Sequence, residues 1–197
     1  HAQRIKLLAH LPQFPRVGAR DQPRDYFNAG EYLQLWRAAR RMAGQVWELR
    51  KVVIAGSVQT QYALAGQGRA GHLVRRVRIH PDLAPLIQFM VNGFMRPTDI
   101  KWLAHKHVQV VRNAHSYLRL RLPTSKRHSD PIVTMPMAVK VYARMLQRAK
   151  VAGREISDQD PVFGAHYASR DLAMKEFQRQ FDVLMQHTGL RQGVNGA

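Results

Sequence analysis

Apolar residues return at helical intervals in several separate stretches of the chain. Beyond Asn28, the residues Tyr32, Leu35, Trp36, Ala39, Met42, Ala43 and Val46 fall on one side of a 3.6-residue period. Asn28 and Glu31 have capping-box spacing, so an amphipathic helix is predicted from this point, with Arg37, Arg40 and Arg41 on its outer face. Leu83, Leu86, Ile87, Met90, Val91 and Phe94 predict a second helix, capped by Asp82 and carrying Pro85 in its tolerant first turn. It stops at "NGFMRPTDI", where Thr98 can open a short helix holding Ile100 and Leu103. Ala138, Val141, Tyr142, Met145 and Leu146 mark a further helix. Leu172, Phe177, Phe181, Leu184 and Met185 mark the last one, which Gly189 stops.

Between these lie β-branched runs. "KVVIAGSV" and "HLVRRVRI" flank the small-residue loop "LAGQGRAG" and predict two strands and a turn. "HVQVV" and "YLRLRL", joined through Asn113, and then "DPIVTMP" predict a three-stranded meander, and "DPVF" a short extended piece. The expected class is α+β, a helix-rich domain with a small three-stranded antiparallel sheet. Residues 1–25, with Pro12, Pro15, Gly18 and Pro23, read as a linker or arm, and residues 26–197 as the domain.

Charge narrows the function. The chain carries 31 Lys and Arg against 13 Asp and Glu, a formal net charge of +18, and its 45% hydrophobic content is enough for a packed core. Such an excess favours an anionic partner, nucleic acid first. The absence of cysteine excludes a disulfide framework, a thiolate zinc site and a cysteine nucleophile. No apolar run approaches the roughly 20 residues of a membrane span, and no secretory signal is recognised, so a soluble, cytoplasmic protein without a membrane partner is expected.

Two tempting motifs are set aside. Gly66, Gly68 and Gly71 match GxGxxG, but strand-like residues follow where a dinucleotide fold needs a helix, and Asp82 comes too early for the ribose; a hairpin loop is expected. His105 and His107 would share one face of a strand, yet two ligands do not make a site, so neither metal nor cofactor is expected. Lys101, Lys106 and Arg112 read instead as sequence-independent phosphate contacts, and Trp36, Trp47 and Trp102 as core.

The segments "FMVNGFMRPTDIKWLAHKHVQVV" and "YLRLRLPTSKRHSDPIVTMP" together resemble the first half of the catalytic domain of tyrosine recombinases, the phage-integrase family. That family has a buried helix running into a Gly-x-Arg turn, an Arg-x-x-Glu box, and a β-meander with a lysine in its second turn. Here Arg96 occupies the box, Asp99 stands at the acidic position, and Lys126, beside Arg127, precedes "PIVTMP". The glycine is displaced to Gly93, with Phe94 in its place, and Asp replaces the commoner Glu.

The resemblance implies site-specific DNA recombination and integration in a mobile genetic element. Strands would be cleaved and rejoined through a 3′-phosphotyrosine without a cofactor, by a homo-oligomer that is a tetramer on paired double-stranded DNA sites when full length. Arg96 would hold the phosphate, Lys126 would act as general acid, Asp99 would support Arg96, and Arg127 would contact DNA. The chemistry suits these residue types. A guanidinium fork meets two non-bridging oxygens at once, and a lysine whose pKa neighbouring cations lower can protonate the leaving 5′-oxygen.

The family's His-x-x-Arg box and nucleophilic tyrosine are not recognised. His166 and Arg170, like His187 and Arg191, have one residue too many between them. The resemblance therefore implies a partial catalytic domain, cut after Ala197 just before that segment and inactive alone. The alternative expectation is a non-catalytic DNA- or RNA-binding module, such as a truncated recombinase remnant.

Overall fold

The computed structural model describes residues 27–112, 114–123 and 130–190. Helix α1 (Ala29–Arg41) leads into strands β1 (Val46–Ile54), β2 (Ser57–Leu64) and β3 (His72–Arg78). Helices α2 (Leu83–Gly93) and α3 (Pro97–Trp102) follow, then a 3-10 turn at His105–His107. Strands β4 (Val108–Arg112), β5 (Ser116–Leu120) and β6 (Ile132–Val133) precede the long helices α4 (Pro136–Val151) and α5 (Arg170–His187). The class is α+β, as expected. The described residues hold two three-stranded antiparallel sheets, however, ordered β2-β1-β3 and β4-β5-β6, rather than the one expected.

The extra sheet arises from local chemistry that the hydrophobic pattern concealed. The Asn28 amide donates to Glu31 Oε2 at 2.8 Å and the Glu31 amide to Asn28 Oδ1 at 3.0 Å, so α1 opens with the expected capping box. It closes sooner than its apolar period, because the chain turns at Gly44 (φ 85°) and Val46 begins β1 instead of continuing the helix. Ala55 (φ 49°) and Gly56 (φ 79°) then make a two-residue hairpin of the left-handed kind that matches strand twist. "KVVIAGSV" is therefore two strands and a turn. The loop holding Gly66, Gly68 and Gly71 joins β2 to β3, but these strands lie on opposite sides of β1, so it crosses the end of the sheet instead of closing the expected hairpin. A Cβ at Gly71 would collide with the Lys51 carbonyl oxygen, so close backbone approach requires glycine there.

Several smaller expectations are corrected. Asp82 stands before α2 but makes no side-chain cap bond. Helix α3 starts after Arg96, with Thr98 inside its first turn rather than at its cap. His105 and His107 lie in the 3-10 turn, not on a strand. Trp47 is buried and Trp36 partly so, whereas Trp102 is 58% exposed.

One apolar core gathers Leu35 and Ala38 of α1, Trp47 and Val77 of the first sheet, Leu86 and Phe89 of α2, and Leu118 and Leu120 of β5 with α4 and α5 residues. Phe89 and Phe163 meet edge to face at 5.3 Å between ring centres. Helix α5 also bonds to the first sheet and its exit. The fully buried Gln180 accepts the His80 amide at 2.9 Å and donates to Tyr167 Oη at 3.0 Å, while Gln186 accepts the Tyr62 amide at 2.9 Å. Buried amides matched in this way fix the docking angle, because an unmatched one costs about 1–3 kcal/mol. Among the described residues no helix is long and apolar enough to cross a membrane.

Candidate functional site

The corner between α2 and α3 carries Arg96. Phe94 ends α2 in a left-handed conformation (φ 54°), buried Met95 anchors the turn, and Arg96 follows in an extended conformation with its side chain exposed. Asp99, only 8% exposed, accepts the Arg96 amide on Oδ2 at 2.8 Å. The Arg96 carbonyl in turn accepts the Asp99 amide at 3.0 Å and the Ile100 amide at 3.2 Å. The carboxylate three residues on thus holds the backbone from which the guanidinium extends, and its charge suits the first turn of a helix.

The meander is docked to this corner. The Met135 amide donates to the Asn92 carbonyl at 2.8 Å, joining the end of α2 to the exit of β6. Buried Thr134 donates its amide to the Leu118 carbonyl at 3.0 Å and accepts the Leu118 amide on Oγ1 at 3.0 Å. Lys126 and Arg127 lie outside the described residues.

The three expected phosphate contacts differ in their present engagements. Lys101 Nζ lies 2.7 Å from Asp171 Oδ1 and over the Trp102 ring, and this pairing holds the Asp171 carboxyl below its usual range. Asp171 is well exposed, so the pair is weak and its lysine can be recruited by a stronger anion. Lys106 Nζ donates to Gln159 Oε1 at 2.6 Å. Arg112 is exposed at the end of β4, opposite Ser116.

Other functional-looking groups escaped the sequence reading. Half-buried Arg170 donates through Nε to the Lys101 carbonyl at 3.1 Å and through Nη1 to the Phe163 carbonyl at 2.9 Å. It thereby caps the end of α3, and burial lowers its pKa. Glu48, 3% exposed, accepts Arg50 Nη2 at 2.7 Å and Arg76 Nε at 3.0 Å, and these hydrogen bonds depress its pKa. His105 Nδ1 lies 2.8 Å from Tyr142 Oη, and burial keeps that imidazole below its ordinary pKa. His80, Asp82 and His166 form the one group of potential metal ligands among the described residues. The Glu48–Arg50 spacing of two, which puts both on one face of a strand, was the local signal that could have found that pair, but Arg76, His166 and Arg170 reach their partners only through the tertiary fold.

No protein family, curated protein or solved structure that was compared matches this chain.

Proposed function

We propose that this chain binds double-stranded DNA and presents Arg96 to a phosphodiester in a strand-transfer reaction of the tyrosine-recombinase kind. The observation that carries this is the seating of Arg96: an exposed guanidinium on a backbone fixed by a buried carboxylate, at a corner bonded to a β-meander. A phosphoryl group crossing a pentacovalent transition state gains charge on its non-bridging oxygens. A fork whose base is already immobile stabilises that charge without first reorganising. In that step a tyrosine hydroxyl, which none of the proposed site residues supplies, forms the new ester to phosphorus as the P–O5′ bond breaks. Lys126 is proposed as the acid that protonates the leaving 5′-oxygen, and Arg127, Lys101, Lys106 and Arg112 as contacts to the DNA backbone. The +18 charge supplies sequence-independent affinity and a steep salt dependence. No step requires a metal or nucleotide.

The test pairs duplex binding, followed by fluorescence anisotropy across a salt series, with formation of a covalent protein–DNA adduct by the protein isolated from its natural source. Arg96→Ala is expected to leave duplex affinity within about threefold, the scale of losing one phosphate contact, and to abolish the adduct. Loss of affinity together with a flatter salt slope, and no adduct from the unaltered protein, would replace this proposal with a non-catalytic nucleic-acid binder. Equal affinity for single-stranded RNA would point to the RNA form of that binder.

A further inference from the structure

His80 and Asp82 bracket the passage from β3 into α2, and His166 sits in the loop that leads to α5. One donor atom from each residue lies within 4.8 Å of the others. The two Asp82 oxygens face different partners: Oδ1 is 3.8 Å from Arg148 Nη2, and Oδ2 is 3.5 Å from His80 Nδ1. The Asp82 amide also donates to His80 Nδ1 at 3.1 Å. That nitrogen therefore acts as an acceptor and the ring proton belongs on Nε2; an ion bound at Nδ1 takes the lone pair that now accepts the Asp82 amide and so displaces that one hydrogen bond. The His80 and His166 rings stack at 3.8 Å and 18°, which brings the second imidazole alongside the first; because a ligated ion lies in the plane of each ring, one ring turns out of this stack when both bind.

We propose that His80, Asp82 and His166 form a binding site for a divalent transition-metal ion of the zinc class. Two donors on one tetrahedral ion with bonds of about 2.0–2.1 Å stand roughly 3.3 Å apart, so His80 Nδ1 and Asp82 Oδ2 are already near ligand spacing. His166 is exposed and can swing to close the remaining distance. Two imidazoles and one carboxylate suit zinc, cobalt or nickel and do not suit magnesium, which prefers oxygen ligands and retained water.

Opposing the ion is the positive charge of Arg148, whose Nη2 lies 3.8 Å from Asp82 Oδ1. Once bound, the ion ties the entry of α2 to the loop between Phe163 and α5. That loop's Phe163 carbonyl receives Arg170, which caps α3, so the ion stiffens the platform behind Arg96.

The experiment uses tag-free protein, with Zn²⁺ titrated by calorimetry, the visible bands of bound Co²⁺ as a spectroscopic readout, and thermal unfolding in Zn²⁺ or Mg²⁺. One saturable Zn²⁺ site per chain is expected, with Tm raised by Zn²⁺ and not by Mg²⁺. His166→Ala, at an exposed position, should retain the metal-free Tm and lose at least about tenfold in Zn²⁺ affinity, no less than an outer-shell change costs. Asp82→Asn should likewise lose Zn²⁺ affinity, read against its own metal-free Tm because it also gives up the Arg148 pair, while His115→Ala, remote in sequence and exposed, should bind as the unaltered protein does. Absence of saturable binding, undiminished affinity in both ligand variants, or an equal response to Mg²⁺ would overturn the site.

Discussion

The two three-stranded sheets share antiparallel pairing but are held in place by different means. Strands β1, β2 and β3 run to 9, 8 and 7 residues, and their hairpin tip is solvent-facing, with Val53 70% and Val58 68% exposed. Strands β4, β5 and β6 have only 5, 5 and 2 residues, yet Leu118 and Leu120 on β5 are fully buried. The long sheet reaches the core at one end, through Trp47 and Val77, and beyond it relies on a left-handed turn, a glycine at a close backbone approach and the buried Glu48 with its two arginines. The short one relies on apolar burial and on Thr134 bonding β5 to the chain entering α4. Strand length is thus a poor guide to how firmly a sheet is held, since two leucines in the core can outweigh a long exposed ladder.

The largest test of that contrast is Leu118→Ala. It is expected to cost about 2–5 kcal/mol in chemical denaturation, whereas Val58→Ala at the exposed tip should stay within about 0.5 kcal/mol. Comparable losses at the two sites would show that the tip of the long sheet is also held by packing.

The ionic cluster responds to pH. The folded-state pKa of Glu48 is depressed, chiefly by its hydrogen bond to Arg50 and then by that to Arg76. Its stabilisation is therefore present above the ordinary carboxylate pKa, and it is lost as pH falls through that range toward the lower folded value. Glu48→Gln should lower the Tm at neutral pH and flatten the acid limb of the stability profile. Parallel acid limbs in the two proteins would remove the cluster from the account of the long sheet.

The smallest effect is expected at the hairpin. Ala55 holds a positive φ that disfavours a side chain, so Ala55→Gly should raise stability by up to about 1 kcal/mol, measured by the shift in denaturation midpoint. A loss instead would mean that the Ala55 methyl restrains the unfolded chain more than it strains the turn.

The same contrast explains which elements could be read in advance. Strands β4, β5 and β6 and helices α2, α4 and α5 were legible because a short alternation or a sustained helical period is complete within each segment. Helix α1 was legible at its start, through Asn28 and Glu31, but not at its end, since Val46 continues the apolar period past Gly44. The Ala55–Gly56 turn went unseen because alanine is not a residue that announces a left-handed conformation. Of the candidate site, Arg96 and Asp99 were found together through the Arg-x-x-acid spacing of the resemblance, and they fall at the cap and third position of one helical turn. That the carboxylate holds the Arg96 amide could be stated only from the fold.

Sequence alone determined the α+β class, the large positive charge, most of the helices and the three-residue spacing of Arg96 and Asp99, since each depends on residues within a few positions of one another. The tertiary structure decided the second sheet's place in the core, the partners of Glu48, the capping of α3 by Arg170 and the meeting of His80 and Asp82 with His166. Those contacts join segments far apart in the chain, and closing such loops has an entropic cost that only the burial of the common core offsets. Local periodicity carries no record of which distant segments that core brings together.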